Sequence, residues 1–198
     1  MPNGDIMPFK SPLGGTYELR VAGMTASQTF LMGHPVGIVD GGTVTQAPND
    51  GTQWLVADLD TVGNIAGIAA WAVGGDDGDG TTSTVGAPTN PKTNAVYTTN
   101  DEVGFWPADQ GTLFITRNFH DAATTAAVVP LVTDIGEIYE ISSSTTVAAG
   151  LGWGLEQTAG SVGTDVVAVV YDVLDIDKAP IRVSGNAGVF LVFEIKTK

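Results

Sequence analysis

Short runs of Val, Ile, Leu, Thr and aromatic residues recur at spacings of roughly ten residues, and this rhythm most constrains the fold. Most runs are closed by Gly, Asp, Asn or Pro. The β-branched and aromatic side chains suit a pleated surface, and the closing residues supply turns. "TYELRVAG" alternates around Tyr17, Leu19 and Val21. "TFLMGHPVGIV" is almost continuously apolar, and "GTVTQA" alternates again. Between these two, Asp40-Gly41-Gly42 offers the positive φ angles of a tight hairpin turn. Residues 36–39 are therefore expected as one arm of a hairpin, with the return starting at Thr43-Val44. "NIAGIAAWAV" reads as a strand in a crowded core. A short buried helix is the other solution, because periodicity does not separate the two at that length.

The second half continues the pattern. "AVYTT", "EVGFWPA" and "TLFITRN" read as strands. "IGEIYEIS" alternates, with Ile135, Ile138 and Ile141 apolar and Tyr139 also available. "TDVVAVVYDVLDI" is a buried strand with a polar exit, and "GVFLVFEIK" has the apolar content of a strand covered on both faces. Helical expectations are few. Asp50 is placed to cap a short helix through Trp54, Leu55 and Leu59, and "HDAATTAAVVPL" is expected to hold one helical turn ending before Pro130. The expected fold is mainly β, a barrel or sandwich with little helix.

Two stretches fall outside that scheme. Residues 1–15 carry Pro2, Pro8 and Pro12, which favour extended chain over helix. They read as an N-terminal arm studded with Met7, Phe9 and Leu13, either a disordered terminus or a tether that orders against a neighbouring subunit, and on the second reading these three are the expected partner-contacting residues. On this reading residues 1–15 can be deleted with loss of partner binding and no loss of fold. The β domain then spans 16–198. Within it, residues 74–95 form a long Asp-, Gly- and Thr-rich loop, either an insertion or a boundary between two halves.

Charge narrows the function. Twenty-two Asp and Glu against eight Lys and Arg give a formal net charge of −14. Nucleic-acid affinity depends on cations that displace counterions, so neither nucleic acid nor an acidic membrane is an expected partner. There is no cysteine, which excludes disulfides, a thiolate nucleophile and thiolate-bound zinc. "MPNGDIMPFKSPLGG" lacks the apolar core of a signal peptide, and the apolar run 65–73 is too short to span a bilayer.

The candidate chemistry is sparse. A catalytic histidine needs a partner within reach and an orienting group. His34, six residues before Asp40, and His120, beside Asp121, sit in no nucleophile motif, and no paired-histidine metal spacing occurs. Asp76-Asp77-Gly78-Asp79-Gly80 resembles the start of a calcium loop. Eleven residues on from Asp76 and Asp77 stand Ala87 and Pro88, which offer no side-chain ligand, so a solvated acidic loop is expected. Asp172, Asp175 and Asp177 could serve a glycosidase only by facing one another across a cleft. At a strand end, with Lys178 and Arg182 near, they read as turn residues. Trp153 between Gly152 and Gly154 suits either a core position with close backbone approach or a platform for a sugar, as does Trp106. The expectation is no catalytic residue, no cofactor and no metal.

The run "SQTFLMGHPVGIVDGGTVTQA", followed by "IAGIAAWAV", resembles the opening of tailed-phage head decoration proteins, also called capsid cement proteins. The matching positions are Phe30, Gly33, Val36 to Val39, Gly41-Gly42, Val44, Ala47 and Gly67-Ile68-Ala69. The order of "IGEIYEI", "VVAVVYDVLDI" and "GVFLVFEIK" is similar too, so the resemblance spans residues 26–198. It implies a β-barrel-like protein on the outside of an icosahedral head, made in the host cytoplasm. There it would bridge copies of the major capsid protein and associate with copies of itself, for instance as a trimer. The alternative reading is a non-catalytic carbohydrate- or receptor-binding β module of a phage particle.

Overall fold

A computed structural model describes residues 6–10, 18–23, 33–38, 44–46, 64–73, 102–121, 127–144, 152–157 and 167–196. Among the described residues there are twelve strands: β1 Met7–Lys10, β2 Arg20–Gly23, β3 Pro35–Ile38, β4 Val44–Gln46, β5 Asn64–Val73 and β6 Glu102–Pro107. The others are β7 Leu113–Thr116, β8 Phe119–Asp121, β9 Ile138–Ser144, β10 Gly152–Gln157, β11 Val167–Leu174 and β12 Phe190–Lys196. Among the described residues the helical content is one 3-10 turn, Val132–Asp134. It lies after Pro130; Ala127 is bridged and residues 128–130 are not helical, while residues 122–126, the rest of the stretch expected to hold a helical turn, lie outside the described residues.

The strands form two sheets. The first has the order β1-β7-β12-β11-β9-β10-β8 and the second β2-β6-β5-β3-β4. All pairings are antiparallel except β8 with β10. Ile65 and Ile68 of the second sheet share one apolar core with Phe114, Phe119, Ile141, Trp153, Leu155, Val170, Leu191 and Phe193 of the first. The fold is therefore mainly β and sandwich-like, two sheets over a common core.

The expected hairpin is present. Ile38 faces Val44 and Val36 faces Gln46, with residues 39–43, including Asp40, outside the described residues. "NIAGIAAWAV" is a strand, not a helix. It needs two irregularities to work. Val36 pairs with Gly67 and Gly37 with Ile65, so Ala66 is an extra residue in β5. A strand alternates faces with period two, and this extra residue lets Ile65 and Ile68, three apart, both point into the core. Ala70 is a second extra residue, opposite the step from Phe105 to Gly104. Gly67 fits where a Cβ would overlap the Trp106 carbonyl.

β11 uses the same device. Val170 faces Phe193 and Asp172 faces Val192, which leaves Tyr171 bulged outward. Val170 and Val173 thus both reach the common core. Strand β12 is buried on both sides, as its sequence suggested: Leu191, Phe193 and Ile195 enter the common core, while Phe190 and Val192 join Ile115 and Leu174 in a second cluster on the opposite face.

Other expectations shift. Val21 is 51% exposed, on a strand that among the described residues ends its sheet and pairs with β6 alone. In "IGEIYEIS" the buried pair is Tyr139 and Ile141, with Ile135 and Ile138 exposed. Tyr139 is accepted in the core because its hydroxyl donates to Asp134 Oδ1 at 2.6 Å. The helix expected after Asp50, the strand at "AVYTT" and the loop at 74–95 lie outside the described residues.

Residues 6–10 are part of the sheet. β1 pairs with β7 through Met7 opposite Ile115 and Pro8 opposite Phe114, and Ile6 is wholly buried in the common core. The expectation that residues 1–15 can be removed without loss of fold does not hold for this stretch.

Candidate functional site

The candidate contact residues lie at one margin of the first sheet. β1 is its terminal strand. Phe9 is the extra residue of a bulge between Pro8 and Lys10, and it stands exposed beside Lys10. Met7, two residues earlier, packs against the second apolar cluster. The two side chains therefore divide the labour that the sequence assigned to both: Met7 helps hold β1 down and Phe9 presents an aromatic face outward. Leu13 lies outside the described residues.

A second outward apolar set was not singled out from the sequence. Val129, Leu131, Ile135 and Ile138 are all exposed. Leu131 bridges Ala187, and Gly188 N–H donates to the Pro130 carbonyl at 2.7 Å, so this segment is held against the start of β12. Asp134 fixes the turn by accepting from Leu131 N–H at 2.6 Å and from the Tyr139 hydroxyl. The signal was present in the spacing: isoleucines at 135, 138 and 141 cannot all face one side of a strand.

The residues considered for chemistry are engaged in structure. Asp172 accepts two hydrogen bonds from the Arg182 guanidinium, at 2.6 and 3.0 Å, and one from Val173 N–H. The Arg182 hydrogen bond holds its carboxyl below the usual range against the opposing effect of burial. Asp175 Oδ1 accepts from Asp177 N–H and Ala179 N–H, closing the turn that leaves β11, with Lys178 in the left-handed region at φ 63°. These carboxylates act as turn and strand-end residues.

Both tryptophans proposed for sugar stacking are placed. Trp153 is 2% exposed and belongs to the core, so it offers no platform. The flanking glycine explains the close approach: a Cβ at Gly154 would overlap Asn118, whose carbonyl accepts from Leu155 N–H at 2.9 Å. Trp106 is half-buried against the same core.

The histidines differ. His34 lies edge-on to Trp153, ring centroids 6.4 Å apart, and its carbonyl accepts from Ala69 N–H. Burial lowers its pKa to about 4. His120 is buried on β8, in register with Glu156 on β10, its Nε2 3.7 Å from Glu156 Oε2. Burial lowers its pKa, against smaller opposing effects of Glu156 and Asp121. Among the described residues, no three His, Asp or Glu side chains are grouped to hold a metal ion. The acidic stretch 76–79 lies outside the described residues. No helix among the described residues is long and apolar enough to cross a membrane.

Comparison with family models, with curated proteins and with solved structures gave no match for this chain.

Proposed function

We propose that the protein is a structural component of a virion that decorates the outside of an icosahedral phage head and cements neighbouring copies of the major capsid protein. The observation that carries this reading is where the resembling segments fall. Within the stretches "GHPVGIV", "GTVTQ" and "NIAGIAAWAV" lie β3, β4 and β5, side by side as β5-β3-β4. The described part of the opening run thus lies together in the second sheet, while the later resembling segments contribute β9, β11 and β12 to the first. The mainly β fold agrees with the architecture that the resemblance implies.

Two further points support it. The acidic residues weighed for hydrolysis, Asp172 and Asp175, are committed to Arg182 and to backbone N–H groups. A net charge of −14 suits a surface that has to stay soluble and repel DNA. Many copies on a symmetric shell make individually weak contacts effective together. On this reading the protein acts without cofactor or catalysis, its partners are the capsid protein and copies of itself, and the exposed Phe9 is a contact residue.

The test is co-sedimentation of the purified protein with DNA-filled heads, with its copies counted against the capsid subunit by quantitative mass spectrometry. A fixed ratio, and heads that lose DNA on heating when the protein is omitted, is the expected result. Heads that contain none of it would end the proposal.

A further inference from the structure

The buried row His120–Glu156–Glu140 is unlike the rest of the first sheet. His120 faces Glu156, and Glu156 faces Glu140, across three adjacent strands. Their neighbours one residue along, Phe119, Leu155 and Ile141, enter the common core. The ionisable row therefore lies on the opposite face, yet its three members are 2%, 6% and 2% exposed. Like charges directly opposite on a sheet repel, and a buried imidazole without full hydrogen bonding is costly. His120 Nδ1 has no hydrogen-bond partner among the described residues, and Nε2 stands 3.7 Å from Glu156, beyond hydrogen-bond reach.

The strand that carries His120 is short and ends its sheet, although its Phe119 is buried in the common core. β8 is three residues long, closes the end of the sheet and makes its one parallel pairing. On its outer side it is held by the His120–Ala127 bridge and by Val128 N–H donating to the Phe119 carbonyl at 2.7 Å. A short terminal strand is a place for local opening, and since opening here also draws Phe119 out of the core, the open form is a minor state at neutral pH.

We propose that His120 is an acid-operated latch: protonation of its buried imidazole releases β8 from β10 and uncovers the β10 edge, a ready template for pairing with another strand. The direction follows from what surrounds the ring. Glu156 on β10 and Asp121 on β8 favour the cation, with Glu140 on β9 next in the row, but burial opposes it more strongly. The neutral form is therefore the latched one. Once β8 lifts, the ring is hydrated and takes its proton at an ordinary histidine pH. The opening constant then rises about tenfold per pH unit below about 6.5, until the buried ring itself titrates. The exposed edge of β10 would present unpaired N–H and C=O groups. This device does not depend on the decoration reading.

The test is native-state hydrogen exchange between pH 7.5 and 5.0, corrected for the intrinsic rate. Amides of Phe119–Asp121 and Leu155–Gln157 are expected to lose protection as pH falls below about 6.5, by at most about tenfold per unit, while amides of β5 and β6 do not. His120→Gln, which cannot titrate, should show flat protection. Unchanged protection in the wild type, an equal rise in His120→Gln, or a uniform rise in both sheets would each overturn the proposal. If His120→Gln does not fold, the His120 ring signal in the wild-type protein decides. A titration that starts at the pH where β8 opens supports the latch, and one that does not refutes it.

Discussion

Asp172 and Arg182 meet through two parallel hydrogen bonds, Nη1 to Oδ1 at 2.6 Å and Nη2 to Oδ2 at 3.0 Å. The pair ties the outward end of β11 to the loop before β12. It also fixes the charge state of the carboxylate, since the guanidinium hydrogen bond holds Asp172 below the ordinary range. The contribution of such a carboxylate is present above the unfolded value and lost as pH falls through the folded one. In an NMR titration, Asp172 should have its midpoint below 3.8, and Arg182→Leu should move it upward. An unchanged midpoint in the variant would mean that the hydrogen bonds are not kept in solution.

Glu194 is a deeper junction. Its carboxylate accepts from Gly111 N–H at 2.7 Å, from the Tyr171 hydroxyl at 2.7 Å and from Lys196 Nζ at 2.6 Å. Burial pushes the carboxyl up, but the hydrogen bonds from Lys196, Gly111 and Tyr171 outweigh it and hold it low. One buried charge thereby locks the β6–β7 turn, the β11 bulge and the end of β12. Glu194→Gln should destabilise by about 2 kcal/mol, and Tyr171→Phe, which removes one donor, by about 1 kcal/mol. Urea unfolding at pH 7 reads both, and the gap between Glu194→Gln and wild type should narrow as the wild-type carboxylate is protonated.

Glycine positions separate packing from backbone freedom. Gly154→Ala drives a Cβ into the Asn118 backbone, where neither strand can give way cheaply, and should cost about 3 kcal/mol. Gly136 has φ +89° with nothing near the missing Cβ, so Gly136→Ala carries backbone strain alone, about 1 kcal/mol. Thermal melts of the two variants should rank in that order, and the reverse order would mean that β8 and β10 do not approach as described.

These features mark where sequence reading stops. "VFLVFEI" announces a strand buried on both faces because every position is apolar but Glu194. Asp40-Gly41-Gly42 between two apolar runs likewise implies the β3–β4 pair. The bulges at Ala66, Ala70 and Tyr171 are set by the register of the partner strands, which no local pattern records. They also explain why Ile65 with Ile68, and Val170 with Val173, violate period two and still share a core. The parallel β8–β10 pair joins residues more than thirty apart, so the His120–Glu156 neighbourhood was invisible. Met7 and Phe9 are equally apolar in the sequence, and only the sheet edge distinguishes the anchored side chain from the exposed one.

His34 makes stability depend on pH. Its folded value, lowered by burial to about 4, lies below the unfolded 6.5. The unfolded chain therefore binds the proton first, and stability falls as pH drops below 6.5, levelling near 4. The slope for one such group is about 1.4 kcal/mol per pH unit at most. His120 shifts in the same direction and adds to it. In urea melts at pH 7.0 and 5.0, His34→Gln should lose part of the wild-type difference and the double variant His34→Gln, His120→Gln more of it. Equal differences in all three proteins would place the acid sensitivity in the carboxylates instead.

β1 requires that fold and contact be tested apart. Ile6 is wholly buried with Phe114 and Phe193 in the common core, so deleting residues 1–10 removes core and would lower any binding through loss of fold. Ile6→Ala should destabilise by about 3 kcal/mol. Phe9 is a bulged, exposed residue on the terminal strand, and Phe9→Ser should change stability by no more than about 0.5 kcal/mol. If Phe9 is a contact residue of a head decoration protein, Phe9→Ser should retain its melting curve and lose co-sedimentation with filled heads. Full co-sedimentation of Phe9→Ser would remove Phe9 from the contact surface without touching the assignment of β1 to the sheet.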